Sequence, residues 1–581
     1  MAGILDATGK KTAYAYDEVN RVAKVMDNGN LLVTYGYHVD NTLAQARFSN
    51  GITTEYTYDR DKNPASITTT TRTGEKLFAY RYAYDYNGNR ILKQDVRELT
   101  SGDLQRVGDY GRIGETGSGQ VFDGLATGQV RLHGQLPEQV PLTQATRYIY
   151  DPLQRIAGVQ YADGKEESLA YDSAGNRALR KYGSQEETYR YDSRNRLTEV
   201  ARKDSTRAEN NRITLYQYDN QGNTLQEETK GCTENLLQKS HYDYDGFNKT
   251  RKVTVEYFGN EKETPTAVQT QENFYDAENL RYGIVENGER TNFITNGWKV
   301  LAEQDESNQT TNRIVLGYGI IASDSLKQEG DGYQYFHWNE HGDTEYITGE
   351  NGQVLNRYGY DAFGSLTTAE EIVRNRYTYN GEQYDAITSQ YYLRARFYNP
   401  QVARFTQEDV YRGDGLNLYT YCANNPVMYE DPSGYVYIDK LFTETGTIPG
   451  KSSSKNLGQN INTHIGIPSN NRTGSHQAQH LIPQEIYVKS SFLQDIGFNV
   501  DHHQNGIWDK NKNLNATQLN DLCSQYNVSS CMQKRYVSEN THHDGYHKLY
   551  SQAVNKEIKK IENDINYKKG TGLYTECRIA T

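Results

Sequence analysis

The first three quarters of the chain consist of short segments in which apolar and polar residues alternate, and many of these segments end in Tyr-Asp. A turn with Gly or Asn follows, often with an Arg four or five residues after the Asp, and the unit recurs about every 20 residues. Alternation predicts strands, Asn-Gly and Gly-Asn steps predict tight turns, and repetition at a fixed spacing predicts one long antiparallel sheet of stacked hairpins. Clear units are Tyr14–Asp17 with Arg21, Tyr84–Arg90, Tyr148–Asp151 with Arg155, Tyr171–Arg177, Tyr189–Asp192 with Arg196, and Tyr216–Asn223.

The polar residues of the unit have a structural interpretation. An Asp that follows a strand can accept backbone N–H bonds within the turn, and the Arg can return to a carboxylate across the hairpin. The composition agrees with this interpretation: 50 Tyr and 50 Gly stand against 14 Phe and 11 Pro, at a mean hydropathy of -0.89. Tyrosine rings can cover apolar surface while their hydroxyls reach polar partners. Nothing in the array suggests catalysis.

The repeated unit resembles the YD repeats of the Rhs, Tc-toxin C-component and teneurin families over roughly residues 10–360. The resemblance implies a mainly β fold in which the sheet spirals into a hollow shell, or cocoon. Residues 1–360 are therefore expected to form the repeat shell. Residues 97–145 alternate little, contain Gly-Ser-Gly, and are interpreted as an insertion.

A denser set of motifs follows Tyr360, across residues 361–435. It resembles the Rhs-associated core and is more specific than any single repeat. The motifs are Tyr379–Glu382, Tyr391–Pro400, Ala403–Phe405, Asn424–Pro426 and Asp431–Tyr435.

This resemblance implies self-cleavage after the last motif, between Tyr435 and Val436, by a pair of aspartates. By position these are Asp409 and Asp431, with Arg404 as a supporting residue. One neutral carboxyl beside an ionised one can share the acid and base roles at a scissile carbonyl. The family usually ends the motif in Leu, where this chain has Tyr435. The structural alternative is that both aspartates are ordinary turn residues, since Asp-Pro and Pro-Ser-Gly are turn signals by themselves.

The Tyr-Asp pattern stops at Val436, and a different composition begins. Residues 436–581 hold 8 of the 13 histidines, and their 16 Lys+Arg against 13 Asp+Glu contrast with 47 against 62 in the remainder of the chain. An acidic body with a mildly basic tail indicates two parts with different partners. Residues 436–474, rich in Ser, Asn, Gly and Thr toward their end, are expected to be a flexible lead-in.

Three clusters in the tail resemble, in order, the AHH branch of the HNH/endonuclease VII nucleases. Singly, each cluster is a weak signal, and a lone exposed histidine is most often just solvated. A spacing of four places His543 and His547 on one helical face if the helix begins that early. The clusters are Ser475–Pro483, Asn505–Trp508 and His543–Tyr550, with an amphipathic helix expected through about residue 565.

The resemblance implies a small α+β domain of the ββα-metal (His-Me finger) fold. Carried over, His480 is the general base, Asn505 fixes the loop or the base, and His547 binds the metal. His543 is a metal ligand or a phosphate contact. One divalent ion is expected, with Mg²⁺ placed first and Zn²⁺ or Mn²⁺ as alternatives. Gln479 stands where the family has the first His of its pair, and as a ligand its amide oxygen binds a metal more weakly than imidazole.

Composition bears on the cellular compartment in which the chain folds. No run of about 18 apolar residues predicts a membrane span, and the N-terminus has no signal-peptide pattern. Five cysteines without C-x-x-C spacing argue against a disulfide framework or a zinc ribbon. The cysteines favour folding in a reducing cytoplasm. The resemblance to Rhs toxins further implies synthesis in a bacterial cytoplasm, export without a signal peptide, and action in the cytoplasm of a target cell.

The predicted function is that of a self-cleaving Rhs-type toxin whose shell encloses a metal-dependent endonuclease used in interbacterial competition. Its expected partners are nucleic acid, with DNA placed ahead of RNA, a cognate immunity protein, and delivery machinery such as a type VI spike with its chaperone. Two alternatives stay open: a Tc-like C-component that carries an effector into host cells, and an adhesive repeat protein with a non-enzymatic tail. The histidine clusters favour an enzyme over adhesion.

Overall fold

The computed structural model describes most of the repeat array, the segment after it and three C-terminal strands. The described residues are 2–6, 9–85, 87–97, 144–259, 264–326, 332–411, 417–439, 476–480, 506–510 and 537–542. The chain divides into two compact units. The first comprises Met1–Asp409 and Asp414–Tyr437, and the second comprises Val410–Gly413 and Ile438–Thr581.

Twenty-nine strands of the first unit form one antiparallel sheet in which each strand pairs with the next along the chain, and within the described residues this sheet does not close on itself. The predicted long sheet of hairpins is confirmed. The strands are β1 Ala2–Leu5, β2 Lys11–Tyr16, β3 Val22–Asp27, β4 Asn30–Tyr37, β5 Leu43–Phe48, β6 Thr53–Tyr58, β7 Pro64–Thr70, β8 Lys76–Tyr84, β9 Arg90–Asp95, β10 Ala145–Tyr150, β11 Ile156–Gln160, β12 Glu166–Tyr171, β13 Arg177–Tyr182, β14 Gln185–Tyr191, β15 Leu197–Asp204, β16 Arg212–Tyr218, β17 Thr224–Gly231, β18 Leu236–Tyr244, β19 Thr250–Tyr257, β20 Ala267–Tyr275, β21 Arg281–Glu286, β22 Glu289–Asn296, β23 Lys299–Gln304, β24 Thr310–Gly317, β25 Gly319–Ser325, β26 Tyr333–Trp338, β27 Thr344–Thr348, β28 Val354–Tyr360 and β29 Leu366–Glu371.

The Asp of each unit organises its turn as expected. In the first unit, Asp17 Oδ1 accepts the backbone N–H groups of Val19 and Arg21, and the Arg21 side chain donates Nε to Asp17 Oδ2 at 2.7 Å. Asn20, with φ of 65°, takes the left-handed position that Asn tolerates. The same Asp–Arg pairing recurs between Asp151 and Arg155. The turn is therefore encoded locally by its own residues.

The last Tyr of a unit ties that unit to the one before it. The hydroxyl of this Tyr donates to a backbone carbonyl in the preceding unit. The accepting residue lies six positions after the aromatic residue that ends the first strand of that preceding unit, and the distance is 2.5–3.0 Å in eight units. A hydrogen bond of this kind contributes about 0.5–1.5 kcal/mol. Repeated in eight units, it helps to explain why the array is rich in Tyr and poor in Phe. The donors are Tyr37, Tyr84, Tyr150, Tyr171, Tyr191, Tyr244, Tyr275 and Tyr360.

The array continues across the predicted insertion. Strands β9 and β10 pair antiparallel, with Ala145 opposite Gln94, and the Tyr150 hydroxyl reaches the Arg90 carbonyl at 2.7 Å. The repeat before residue 97 and the repeat after residue 145 are thus neighbours in the sheet. Most of the predicted insertion, residues 98–143, lies outside the described residues.

The sheet curls far enough for its first strands to pack on strands β24–β27. One buried cluster joins Val25, Val33 and Phe78 to Val315 and Ile321. A buried ion pair reinforces this layer: Arg313 Nη1 lies 2.7 Å from Asp27 Oδ2, and both side chains are almost fully excluded from water.

The segment after the array forms a small sheet of its own. Its strands are β30 Gln383–Asp385, β31 Gln390–Leu393, β32 Arg396–Asn399 and β33 Arg404–Phe405, and they are followed by β34 Tyr429–Glu430 and β35 Ile438–Asp439. Short 3₁₀ turns occupy Ala208–Asn210, Tyr379–Gly381 and Cys422–Asn424. Stacked tyrosines, including Tyr398 and Tyr421 with ring centroids 3.8 Å apart, form the core of the small sheet.

The described part of the second unit contains a three-stranded sheet: β36 His476–His480, β37 Gly506–Lys510 and β38 Val537–His542. Strand β37 pairs antiparallel with β36 and parallel with β38. A search of the described residues found no helix long and apolar enough to cross a membrane.

Candidate junction and nuclease sites

The small sheet after the array is attached to the array through turn residues. At the fourth position after the Asp, some units have Asn where others have Arg, and these amides reach the small sheet and the segment after it. Asn176 Oδ1 accepts from Arg404 Nη1 at 2.9 Å, and Asn89 Oδ1 accepts from Asn425 Nδ2 at 3.1 Å. The array therefore serves as a scaffold for the segment in which the sequence predicts self-cleavage.

Asp409 and Asp431, the two aspartates predicted for cleavage, are brought together by one arginine, Arg396. Arg396 Nη2 lies 2.7 Å from Asp409 Oδ2 and 3.7 Å from Asp431 Oδ2. All three side chains are buried, with relative exposures of 5%, 7% and 3% for Arg396, Asp409 and Asp431. Buried charges need partners of opposite charge or hydrogen bonds. The Arg396 guanidinium is therefore the group that allows two carboxyl groups to lie close together in this buried position.

The remaining contacts of Arg396 fix the chain beside the predicted cut. Its Nε donates to the Gly434 carbonyl at 2.5 Å and its Nη1 to the Leu418 carbonyl at 3.0 Å. The guanidinium also lies over the Phe405 ring, 3.5 Å from the centroid. One side chain thus links both carboxylates to the backbone one residue before Tyr435.

The Asp431–Gly434 loop is shaped by short contacts. Asp431 Oδ1 accepts from the Ser433 hydroxyl at 3.0 Å and from the Gly434 N–H at 2.8 Å. Gly434 has φ of +70°, and a Cβ at this position would lie 2.4 Å from the Leu393 carbonyl oxygen. Only glycine suits that combination of backbone conformation and close approach.

Ser433 also contacts the peptide that the sequence predicts to be cut. Its hydroxyl oxygen accepts from the Tyr435 N–H at 3.1 Å and from the Val436 N–H at 3.3 Å. Val436 supplies the nitrogen that would leave. A hydrogen-bonded path therefore runs from that nitrogen through Ser433 to the Asp431 carboxyl.

The electrostatics of the pair are asymmetric. Burial raises the pKa of Asp431, while Arg396 and the hydrogen bonds from Ser433 and Gly434 act in the opposite direction. The net effect is to favour the protonated form of Asp431 compared with an exposed aspartate. Asp409 has the shorter contact with the Arg396 guanidinium, 2.7 Å against 3.7 Å for Asp431. This difference suits one acid and one base.

Arg404, the predicted supporting residue, directs its side chain to turns of the array. Its Nη1 donates to Asn176 Oδ1, its Nη2 donates to the Asn195 carbonyl at 2.5 Å, and its guanidinium stacks on Tyr191 and Tyr419. The arginine that the structure brings to Asp409 and Asp431 is Arg396. The sequence does contain a signal for it, since Tyr391–Pro400 carries two arginines, but the motif alone does not say which arginine faces the carboxylates.

The described strands of the second unit place part of the predicted nuclease site. In the pairing of β36 with β37, Gln479 is opposite Ile507 and His480 is opposite Gly506. His480 is the last residue of its strand, and Asn505 directly precedes the partner strand. His480 therefore lies on a strand, and its role as general base stays a prediction.

Three predicted site residues, Asn505, His543 and His547, lie outside the described residues. His543 directly follows β38, whose last residue, His542, pairs with Lys510 of β37. Over the ranges that the structure describes, no cluster of three His, Cys, Asp or Glu side chains could hold a metal ion. The roles of the tail residues and the identity of the metal stay predictions.

The C-terminal region matches a nuclease family. Residues 465–572 match the model of "a nuclease family of the HNH/ENDO VII superfamily with conserved AHH". In this chain the corresponding triplet is Ala478-Gln479-His480. The match covers all three clusters of the tail, so the expected AHH nuclease domain is confirmed.

Relatives of the chain include a tRNA nuclease and two proteins named as toxins. It is 31% identical over 279 residues to the tRNA3(Ser)-specific nuclease WapA of Bacillus spizizenii, covering 46% of this chain and 9% of that protein. It is 24% identical over 478 residues to the double-stranded DNA deaminase toxin A of Burkholderia cenocepacia, covering 72% and 30%. It is 23% identical over 455 residues to the toxin subunit YenC1 of Yersinia entomophaga, covering 67% and 41%. The chain thus spans a small part of WapA and less than half of the other two.

Solved structures share the β-shell fold. The Photorhabdus luminescens Tc holotoxin pore aligns with a TM-score of 0.50 at 18% identity, covering 78% of this chain and 21% of that one. A crystal structure of TcdB2-TccC3-TEV gives 0.50 at 19% identity, with 74% and 21% covered. At this level of identity the likeness concerns the fold. With the toxin relatives, it confirms the resemblance to Rhs and Tc repeat proteins.

Proposed function

We propose that this chain is a self-cleaving Rhs-type toxin whose β-shell holds a C-terminal, metal-dependent endonuclease. The observation that carries the nuclease assignment is the family match over residues 465–572, supported by the strand pairing that places His480 opposite Gly506. The observation that supports cleavage is the buried pair of Asp409 and Asp431 joined through Arg396.

In the proposed nuclease reaction, His480 accepts a proton from a water molecule, and the resulting hydroxide attacks the scissile phosphate. Asn505 holds the loop or the imidazole of His480 in place. Two imidazoles, of His543 and His547, and the amide oxygen of Gln479 form a donor set that fits one divalent cation. When bound, Mg²⁺, or alternatively Zn²⁺ or Mn²⁺, supplies neutralisation of the phosphate and stabilisation of the leaving 3′ oxygen.

In the proposed self-cleavage, Asp409 accepts a proton from a water molecule whose oxygen attacks the Tyr435 carbonyl carbon. The bond between that carbon and the Val436 nitrogen then breaks. Protonated Asp431 supplies the proton that the leaving nitrogen needs, through the hydroxyl of Ser433, which already lies 3.3 Å from it. Asp431 ends ionised and Asp409 ends protonated, so the exchange of one proton through solvent restores the pair.

The proposed biological role follows from these two activities. The shell isolates the severed nuclease until delivery into the cytoplasm of a competing bacterium, and a cognate immunity protein protects the producing cell. Export without a signal peptide, through machinery such as a type VI spike with its chaperone, belongs to the same proposal. The alternative role as a Tc-like C-component that acts on host cells is favoured by the alignment with YenC1 and by the β-shell fold.

The nuclease proposal is tested with the purified full-length chain. It is incubated with plasmid DNA and with tRNA, with and without EDTA, before and after brief exposure to urea to release the tail. We expect EDTA-sensitive cleavage that increases after urea and is lost in His480→Ala. DNA is the expected substrate, and tRNA serves as the second arm. Absence of metal-dependent cleavage of both substrates, in the wild type and in Gln479→His, would overturn the assignment.

The cleavage proposal is tested by the mass of the chain under denaturing conditions. We expect two fragments divided between Tyr435 and Val436, and a single species of 66.3 kDa in Asp431→Asn. Fragments that still elute together under native conditions would support retention of the tail by the shell. A wild-type chain that stays intact would refute self-cleavage.

A further inference from the structure

One turn of the array carries a lysine where several others carry an arginine. Four residues after the Asp of the unit, Arg21, Arg155 and Arg196 each pair with the carboxylate of their own turn. In the turn of Asp245 the same position is Lys249. Its backbone N–H donates to Asp245 Oδ1 at 2.9 Å as in the other units, but its ammonium does not follow the pattern.

The Lys249 ammonium is directed into the small sheet. Its Nζ donates to the carbonyl oxygens of Arg394 at 3.3 Å and Ala395 at 3.2 Å, and the residue is only 6% exposed. Burying a lysine among neutral acceptors costs free energy. The charged groups that face it are Asp245, from its own turn, and Arg396, from the small sheet.

The two carbonyl groups that accept from Lys249 belong to the hairpin turn that directly precedes Arg396. Arg394 has φ of 63°, an unfavourable conformation for a residue with a side chain, and the turn therefore needs external support. The N–H of Ala395, on the same peptide group as the Arg394 carbonyl, donates to the Ser433 carbonyl at 3.1 Å. An ammonium on one side of that peptide group polarises the N–H on its other side.

The residue before Lys249 supports the opposite side of the site. Gln407 Nε2 donates to the Asn248 carbonyl at 2.7 Å, and Gln407 Oε1 accepts the Phe397 N–H at 3.0 Å. Gln407 lies two residues before Asp409. The turn that ends in Lys249 thus contacts both segments that carry the ion pair between Arg396 and Asp409.

We propose that Lys249 is a positioning residue for self-cleavage: its ammonium fixes the turn at Arg394 and Ala395, so that Arg396 and the Ser433 loop meet the two carboxylates in reactive geometry. This inference rests on the proposed self-cleavage. Lys249 acts on the reaction only through Arg396 and the loop, and it touches none of the reacting atoms.

The charge of Lys249 supplies a signature that packing alone would not. Burial lowers its pKa to about 8, with Asp245 opposing the shift and Arg396 adding to it. The ammonium is therefore charged below about pH 8 and loses its charge as the pH rises through that value. Arginine at this position would stay charged over the whole range.

The test follows cleavage of the full-length chain over time in cell-free synthesis, after translation is stopped and the pH is set between 6.5 and 9.5, a range that spans about two units around the lowered pKa. We expect Lys249→Met to cleave at least tenfold more slowly than wild type at pH 7, and Lys249→Arg to cleave at a rate close to wild type. Arg155→Met is the matched control, because Arg155 holds the same repeat position, and it should cleave normally. Loss of the proton from Asp431 slows both chains as the pH rises, so the wild-type rate should fall more steeply above pH 8 than that of Lys249→Arg, which keeps its charge.

The possible outcomes distinguish a failure of the role proposed for Lys249 from a failure of self-cleavage itself. If the wild type stays intact, self-cleavage fails and the inference fails with it. If the wild type is cut and Lys249→Met is cut at a rate within twofold of it, only the inference fails. An alkaline decline as steep in Lys249→Arg as in the wild type also overturns it. Limited proteolysis controls for folding: Lys249→Met should be as resistant as Asp431→Asn, and a protease-sensitive Lys249→Met would reduce the residue to a structural role.

Discussion

Replacing Arg396 with methionine tests the candidate cleavage site at its centre. The change removes the cation 2.7 Å from Asp409 and 3.7 Å from Asp431, together with the donor to the Gly434 carbonyl. Methionine keeps much of the apolar stem of the side chain, although the guanidinium over the Phe405 ring is lost. The variant therefore removes charge and hydrogen bonds with little loss of volume.

The size of the effect follows from these contacts. A hydrogen bond to a charged group contributes about 1.5–3 kcal/mol, and leaving its partner buried without it costs a similar amount. If one such interaction is lost from the transition state, cleavage slows about 10- to 150-fold, because each ~1.4 kcal/mol is a factor of ten in rate. Loss of the contacts with both carboxylates places the expected effect at the upper end of that range.

The assay measures the fraction of intact chain against time after translation is stopped. Arg404→Met is the matched control, because Arg404 is also a buried arginine of the small sheet, but its guanidinium contacts Asn176 and Asn195. Arg404→Met should retain much more cleavage than Arg396→Met. The reasoning is refuted if Arg396→Met cleaves like wild type, or if Arg404→Met is the variant that stops cleavage.

Three further predictions concern other parts of the chain. Gly434→Ala should abolish cleavage, since the added Cβ meets the Leu393 carbonyl and a positive φ costs about 1–2 kcal/mol more; a normally cleaved variant would contradict this. Burial raises the pKa of Glu227 from 4.5 to about 7, so stability should fall by about 3 kcal/mol as the pH rises from 4.5 through 7; Glu227→Gln should remove that slope in urea titrations. Gln479→His should increase metal-dependent nuclease activity and lower the metal concentration that half-activates it; unchanged metal dependence would argue against a ligand role.

The array could be predicted from sequence because its determinants are local. Asp17 and Arg21 are four residues apart, and they form the turn by contacts within that span. The hydroxyl bond from Tyr171 to the Ile156 carbonyl crosses only to the preceding unit. Each unit therefore carries most of the information for its own conformation, and repetition makes the signal visible.

The attachment of the small sheet to the array could not be predicted in the same way. Asn176 and Lys249 occupy the same repeat position as Arg21 and look like ordinary variation in a turn. Their contacts are with residues far along the chain, Arg404 in one case and Arg394 with Ala395 in the other. Only the folded sheet shows which turns face that segment.

The choice between Arg396 and Arg404 shows how register decides what a motif leaves open. Arg404 pairs with Asn399 across β32 and β33, and paired residues share a face of the sheet. Arg396 is three residues before Asn399, and side chains alternate along a strand, so Arg396 lies on the opposite face together with Tyr398 and its partner Phe405. The guanidinium of Arg396 over the Phe405 ring agrees with this register. Since only one face carries the carboxylates, the two arginines cannot exchange roles, and only a slip of one residue in this pairing would bring Arg404 to the face of Arg396.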